Sequence, residues 1–281
     1  MLVDGKWESE WQPIQETDSE GRFVRQTSTF SDWVTPDGSA GPEGQVAYPA
    51  QAGRYHLILA YICPWASRTL MARALKGLED SISVSVVDPR LTSQGWKFGD
   101  FPGSDSHDEL IGAEYMHEFY TRSDQHVNGR ATVPVLWDKQ RKTIVNNESA
   151  DILRMLNSGF GKLAKHDIDL HPQSLKTEIK ELNTDLYEPF NNGVYKAGFA
   201  SSQTAYDEAI TGIFDTLDAL ENRLGDGRAF LLGDFLSEPD IRAFVTLIRF
   251  DVAYVGLFKT NRCRIADYPM LQAYTKRMLA V

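Results

Sequence analysis

Between residues 51 and 160, short apolar runs alternate with longer amphipathic stretches. Short runs rich in β-branched and aromatic residues are typical of strands, and apolar residues that recur every three to four positions predict helices. The predicted strands cover 55–60, 82–87, 132–137 and 143–145, and the predicted helices cover 64–78, 108–120 and a segment that begins near Ser149. A stretch rich in Gly, Ser and Asp at 92–107 is expected to form a loop. This order of elements predicts a small α/β layer.

The pattern becomes helical throughout after about Pro172. Apolar residues at three-to-four spacing predict helices over 174–191, 202–224 and 238–255. In the last of these helices, one apolar stripe is expected from Ile241, Phe244, Val245, Ile248 and Val252.

The first 50 residues are polar and include a loop-forming stretch of Pro, Gly and Ser at 35–44. They also contain scattered aromatic residues, among them Trp7, Trp11, Phe23, Phe30 and Trp33. We expect an arm whose aromatic side chains anchor it to a domain surface. The predicted organisation is an N-terminal arm at 1–50, an α/β domain at 51–160 and an all-helical domain at 172–281.

Composition and charge exclude several classes of partner. The 281 residues are 42% hydrophobic, which suits a packed globular protein, and the net charge of −10 opposes binding to nucleic acid. Apolar runs fall far short of the ~20 residues that span a bilayer, and the first residues do not resemble a secretory signal. Cys63 and Cys263 are too few for a disulfide framework or a four-cysteine zinc site. We therefore expect a cytoplasmic protein with no metal, no membrane and no nucleic acid as partner.

The sharpest chemical feature is Cys63, which stands where a predicted strand gives way to a predicted helix. The N–H groups and positive dipole at a helix N-terminus stabilise a thiolate, which is the nucleophilic form of cysteine. Pro64 is compatible with the first helical position, where its missing N–H has no partner to lose. Trp65 and Ala66 follow, so the segment holds no second cysteine and a resolving thiol must come from outside it. The alternative is a buried structural cysteine.

Two further segments point to the same kind of site. In Thr132-Val133-Pro134 a proline interrupts a predicted strand, which fits the thioredoxin-like arrangement in which a cis-proline loop faces the thiol. An edge-strand proline is the alternative. Glu148 and Ser149 stand at another predicted helix start, where N–H groups suit a ligand carboxylate and Glu148 could hold an ammonium. A purely capping role is the alternative for Ser149.

Together these motifs resemble the glutathionyl-hydroquinone reductases, the Xi class of glutathione transferases. The three segments that carry the resemblance are Cys-Pro-Trp-Ala at 63–66, Thr-Val-Pro-Val-Leu-Trp-Asp at 132–138 and Asn-Asn-Glu-Ser at 146–149. Further motifs similar to this family's lie at 21–25, 53–56, 75–79, 95–98, 191–200 and 249–254. Two positions depart from the family pattern, because Ser67 stands where histidine is usual and Thr260 where cysteine is usual.

The resemblance implies a thioredoxin-like N-terminal domain followed by an all-helical C-terminal domain, which is the glutathione transferase fold. It implies glutathione as cosubstrate, glutathione conjugates of quinones as substrates and a homodimer as the assembly. It also implies roles for residues at matching positions. These are Cys63 as nucleophile, Val133 for the glutathione backbone, Glu148 and Ser149 for the γ-glutamyl end, Trp96 with Arg130 or Arg122 for the glycyl end, and Tyr195 and Tyr254 for the aromatic substrate.

The function expected from this resemblance is the removal of glutathione from S-glutathionyl hydroquinones through a cysteine–glutathione mixed disulfide. Three alternatives remain open at this point. The first is an omega-like thiol transferase or dehydroascorbate reductase that uses the same cysteine. The second is a non-catalytic binding protein with the same fold. The third is a membrane-inserting relative like the chloride channels, which the charged residues Arg68, Arg73 and Lys76 in the predicted helix after Cys63 oppose.

Overall fold

A computed structural model describes residues 1–8 and 16–281. Within these residues the chain divides into two compact units, one formed by 1–8 and 26–168 and the other by 16–25 and 169–281. The strands are β1 (Leu2–Val3), β2 (Lys6–Trp7), β3 (Trp33–Thr35), β4 (Ala47–Pro49), β5 (Tyr55–Leu59), β6 (Ser83–Val86), β7 (Val135–Asp138) and β8 (Thr143–Asn146). The helices of the first unit are α1 (Pro64–Leu75), α2 (Met116–Ser123) and α3 (Ser149–Arg154), which continues as a π-helical turn at Met155–Gly159.

The first unit is built on a four-stranded mixed sheet in the order β6-β5-β7-β8. The central strand β5 pairs in parallel with β6 and antiparallel with β7, which in turn pairs antiparallel with β8. All five residues of β5 are buried, as expected for a strand covered on both faces. With the helices that connect its strands, this sheet is the thioredoxin-like domain predicted from the sequence.

Helix α1 begins and ends where local chemistry requires. Cys63 is the N-cap residue in an extended conformation, and Pro64 occupies the first helical position. The helix stops at Leu75 rather than at the predicted Leu78, because Gly77 adopts a φ of +63°. The N–H of Leu78 then bonds to the carbonyl of Arg73 at 3.0 Å, which closes the last turn.

The helix predicted at 108–120 is shorter in the structure, where α2 begins at Met116. The carboxylate of Asp108 accepts hydrogen bonds from the backbone N–H groups of Leu110, Ile111 and Ala113 at 2.9–3.1 Å. These bonds hold residues 108–113 in a turn, because a side chain that satisfies local N–H groups competes with helix formation. The prediction was therefore wrong for the first half of this segment.

The second unit is helical, with α4 (Lys176–Leu186), α5 (Gly193–Phe199), α6 (Gln203–Leu224), α7 (Glu238–Arg249), α8 (Val255–Leu257) and α9 (Pro269–Met278). Ser237 and Asp240 form a capping box at the start of α7, and the hydroxyl of Tyr274 on α9 donates to the same Asp240 carboxylate at 2.8 Å. One predicted stripe residue is displaced, because Val252 is 84% exposed. It lies in the π-helical turn Phe250–Tyr254, whose wider winding rotates the following residues off the apolar face.

The predicted arm divides between the two units. Trp33 is buried, and the ring of Phe30 meets Tyr120 edge-on at 5.6 Å in the first unit. Phe23 is buried in the helical unit, where its ring lies 5.6 Å from that of Phe199. The prediction that Trp11 also anchors the arm lies outside the described residues. No helix in the described residues is long and apolar enough to cross a membrane.

Candidate active site

The thiol of Cys63 lies at the junction of β5 and α1. The residue is half-buried, and its sulfur is not part of a disulfide. As N-cap of a helix of 12 residues with no acidic side chain in its first turn, Cys63 lies at the positive end of the helix dipole. Its carbonyl accepts from both the N–H and the hydroxyl of Ser67, at 3.0 and 3.1 Å, which fixes the first turn beside the sulfur.

The Val133 segment faces this thiol. The Cys63 Sγ lies 3.5 Å from the carbonyl oxygen of Val133, and the Val133–Pro134 peptide bond is cis. The structure thus brings together the cysteine and the proline loop that the sequence places 70 residues apart. This loop immediately precedes β7, the strand that pairs with β5.

Glu148 and Ser149 form a compact polar turn at the start of α3. The Glu148 carboxylate accepts from the N–H of Ala150 at 3.1 Å, and the hydroxyls of Ser149 and Ser28 lie 3.3 and 3.0 Å from its oxygens. Ser149 is buried and Glu148 is half-buried. Ser28 had no role in the sequence analysis, because its contact depends on how the arm folds back onto α3.

Trp96 and Arg130 stand on two other loops of the first unit. Trp96 follows the tight turn at 92–95, and its carbonyl accepts from the N–H of Met116 at 3.0 Å. Arg130 is half-buried, and its backbone N–H donates to the Gln26 side chain at 2.8 Å. The other candidate, Arg122, is exposed on the last turn of α2. The roles of Trp96 and of either arginine stay predictions.

Tyr195 and Tyr254 come together in the helical unit, where their ring centroids are 6.3 Å apart. Phe258 lies against both rings, at 5.5 and 5.3 Å. The guanidinium of Arg25 sits 4.7 Å from the Tyr195 ring centroid, and its Nε donates to Asn192 at 2.6 Å. The sequence motif at 21–25 contains Arg25 but does not indicate this contact. A cation over an aromatic ring stabilises the cluster by electrostatic attraction to the ring face.

The described residues contain no group of three or more His, Cys, Asp or Glu side chains placed to hold a metal ion. The site offers a thiol at a helix N-terminus, a backbone segment at Val133 that faces this thiol, and a carboxylate at Glu148. This combination suits a peptide-like ligand that bears its own thiol.

Known proteins resemble this chain over most of its length. Residues 62–158 match the model of the glutathione S-transferase N-terminal domain, and residues 203–277 match that of the C-terminal domain. The glutathionyl-hydroquinone reductase YqjG of Escherichia coli is 48% identical over 98% of this chain and 83% of its own length. The glutathionyl-hydroquinone reductase PcpF of Sphingobium chlorophenolicum is 47% identical over 96% and 82%.

Solved structures show the same relationship. The glutathione-bound structure of YqjG superimposes with a TM-score of 0.88 over 98% of this chain and 83% of that one, at 45% identity. The Xi glutathione transferase of Phanerochaete chrysosporium superimposes with a TM-score of 0.85 over 91% and 85%, also at 45% identity. The chain has the glutathione transferase fold and belongs to the glutathionyl-hydroquinone reductases, the Xi class of glutathione transferases.

Proposed function

We propose that this protein is a glutathione-dependent reductase that removes glutathione from S-glutathionyl hydroquinones through Cys63. The observation that carries the proposal is the position of the Cys63 thiol, which is in no disulfide, at the N-terminus of α1 and 3.5 Å from the Val133 carbonyl oxygen. The related proteins YqjG and PcpF are named for this activity. Because Trp65 and Ala66 follow Pro64, the motif lacks a second cysteine, and glutathione itself serves as the resolving thiol.

The reaction balances in two steps. The Cys63 thiolate attacks the glutathione sulfur of the conjugate, a disulfide forms and the carbon–sulfur bond breaks. The electron pair of that bond stays on the ring carbon, which takes up a proton, so hydroquinone is released in reduced form. A glutathione thiolate then attacks the glutathione sulfur of the mixed disulfide. Oxidised glutathione leaves and the Cys63 thiolate is restored.

The glutathione site is proposed in the first unit. The Val133 main chain binds the cysteinyl backbone, and Glu148 and Ser149 bind the ammonium and carboxylate of the γ-glutamyl end. Trp96 and Arg130 cover the glycyl carboxylate, with Arg122 as the alternative cation. Because the chain has a net charge of −10, long-range electrostatics oppose an anionic tripeptide, and these local contacts must supply the affinity.

The hydroquinone ring is assigned to Tyr195 and Tyr254. Tyr195 is half-buried and therefore exposes part of its side chain, whereas Tyr254 is buried. Flat aromatic rings favour offset or edge-on contacts with tyrosine, which suits a substrate of this shape. Substitution of Tyr195 by alanine is expected to raise the KM of the conjugate more than that of free glutathione.

Two further properties are proposed from the family relationship: a homodimeric assembly and a cytoplasmic location. Exposed apolar side chains on the helical unit, Val252 and Leu257, supply surface for association. Light scattering at micromolar concentration is expected to give twice the mass of 31.6 kDa, and a monomer mass would contradict the assembly.

The two half-buried cysteines provide a matched test of the proposed chemistry. Cys63→Ser is expected to abolish release of hydroquinone from S-glutathionyl hydroquinone, whereas Cys263→Ser leaves it nearly intact. Equal loss in both variants would contradict a single nucleophile. Wild-type turnover of dehydroascorbate with no turnover of the hydroquinone conjugate would favour the omega-like alternative instead.

A further inference from the structure

The hydroxyl of Tyr120 joins two segments of the candidate glutathione site. Tyr120 lies on α2 and is 1% exposed. Its Oη accepts from the N–H of Thr132 at 3.1 Å and donates to the carbonyl of Thr132 at 3.0 Å. The side-chain amide of Asn147 donates to the same oxygen at 3.0 Å. The hydroxyl of Thr132 lies 3.1 Å from the same oxygen, so the phenol has hydrogen-bonding partners on both segments.

The partners of Tyr120 each stand one residue before a site residue. Thr132 precedes Val133, whose carbonyl oxygen lies 3.5 Å from the Cys63 sulfur. Asn147 precedes Glu148, which caps α3. One buried oxygen therefore connects the loop that faces the thiol with the turn that carries the carboxylate.

We propose that Tyr120 is a positioning residue that fixes the spacing between the Val133 loop and the Glu148 turn, so that one glutathione molecule can contact both. This inference rests on the proposed function, which assigns the cysteinyl part of glutathione to the first segment and the γ-glutamyl part to the second. Tyr120 does not itself touch the ligand in this proposal. It acts through Thr132 and Asn147.

The surroundings of the hydroxyl support a fixed role. Phe30 donates its backbone N–H to the Asn147 side chain at 3.0 Å and packs its ring edge-on against Tyr120 at 5.6 Å. Burial raises the pKa of Tyr120, which keeps its hydroxyl protonated and able to donate to Thr132 near neutral pH. The network is therefore held from three separate segments of the first unit.

Fixed spacing matters because glutathione makes the two contacts with one short peptide. When both contacts are preorganised, binding at one brings the other group to its partner without a further ordering cost. Loss of the hydroxyl leaves the Thr132 N–H and the Asn147 amide without this acceptor in a buried environment. Each loop then adjusts separately to satisfy its own groups.

The test compares Tyr120→Phe with the matched control Tyr55→Phe. Tyr55 is also buried in the first unit, and its hydroxyl donates to the Pro49 carbonyl at 2.9 Å. It is the first residue of β5, whereas Cys63 follows the other end of that strand. Both variants remove one buried phenolic oxygen, but only Tyr120→Phe breaks the connection between the two site segments.

Calorimetry measures the affinities for two ligands that cannot turn over. They are S-methylglutathione and S-methyl-cysteinylglycine, which lacks the γ-glutamyl group. Tyr120→Phe is expected to weaken S-methylglutathione about tenfold and the shorter ligand by less than about threefold. Tyr55→Phe is expected to leave both affinities unchanged at a temperature where all variants are folded.

Equal weakening of the two ligands by Tyr120→Phe, or no weakening of either, would overturn the inference. If Tyr120→Phe does not fold, Asn147→Ala breaks the same connection from the other side and is expected to give the same pattern. Failure of the wild type to release hydroquinone, combined with the expected binding pattern, would refute the proposed reaction and leave the positioning role standing.

Discussion

Glu148→Gln tests how the γ-glutamyl end of glutathione is held. The substitution preserves the shape of the side chain and removes its charge. In the wild type the Glu148 carboxylate accepts from the Ala150 N–H at 3.1 Å, and the amide oxygen of glutamine can still accept this bond. The Ser28 hydroxyl, 3.0 Å from the other oxygen, can accept from an amide as readily as it donates to a carboxylate. The local fold should therefore survive the change.

The expected magnitude follows from what is kept and what is lost. A helix cap is worth about 1 kcal/mol, and the glutamine retains most of it. A hydrogen bond to a charged group contributes about 1.5–3 kcal/mol, and the proposed bond between Glu148 and the glutathione ammonium belongs to this class. Its loss corresponds to roughly 10- to 150-fold weaker binding, at about 1.4 kcal/mol per factor of ten. The free energy of unfolding should fall by less than about 1 kcal/mol.

The assay compares glutathione with its des-amino analogue, which lacks only the ammonium. The wild type should prefer glutathione, and Glu148→Gln should abolish that preference. Glu118→Gln is the control, because the Glu118 carboxylate also accepts backbone N–H groups at a helix start, those of Glu114 and Tyr115 at 2.9 and 2.8 Å. If Glu148→Gln weakens both ligands by the same factor, Glu148 is structural and the proposed orientation of glutathione is wrong.

Three further predictions concern the first unit. Arg130→Ala is expected to raise the KM of glutathione about tenfold or more, whereas Arg122→Ala should change this KM by less than about twofold. The opposite result would assign the glycyl end of glutathione to Arg122. Burial lowers the pKa of His56 from 6.5 to about 4, so the unfolded chain binds one more proton than the folded protein between these values. The stability due to neutral His56 is fully present above pH 6.5 and falls by up to about 3 kcal/mol as the pH drops to 4. In urea unfolding, the free energy of unfolding of His56→Leu should therefore fall less between pH 6.5 and pH 4 than that of the wild type. Asp138→Ala is expected to lower the free energy of unfolding in urea by about 3–5 kcal/mol. The substitution leaves the buried Arg54 guanidinium without the carboxylate that it contacts through Nε and Nη2. A decrease below about 1 kcal/mol would contradict this prediction.

The parts of the fold that follow from local chemistry could be predicted from the sequence. Cys63 and Pro64 mark the start of α1 because an extended cap and a first-turn proline are local signals. The helical half follows from apolar periodicity in the same way. The sequence did not reveal the turn after Asp108, because a single carboxylate that accepts three N–H groups looks the same in the sequence as a helix cap. Nor did it reveal the exposure of Val252, which depends on a π-helical turn.

Site residues divide along the same line. Val133 and Glu148 lie in motifs that can be recognised in the sequence. The bond between Glu148 and the nearby Ala150 N–H also follows from the local chemistry of a helix start. The sequence does not indicate a role for Tyr120, because its hydrogen-bond partners Thr132 and Asn147 lie 12 and 27 residues further along the chain. Arg25 is similar, since its partner Asn192 lies 167 residues away. Such contacts come from tertiary packing, which no local pattern encodes.

Cys63 is proposed to carry glutathione as a mixed disulfide during the reaction. Mass spectrometry after mixing the wild-type protein with one equivalent of S-glutathionyl hydroquinone, with no free glutathione present, tests it most directly. We predict one glutathionyl group on the peptide that contains Cys63, an equal amount of released hydroquinone, and loss of the adduct when glutathione is added. Hydroquinone release with no adduct on Cys63, or unchanged release by Cys63→Ser, would refute this role of Cys63.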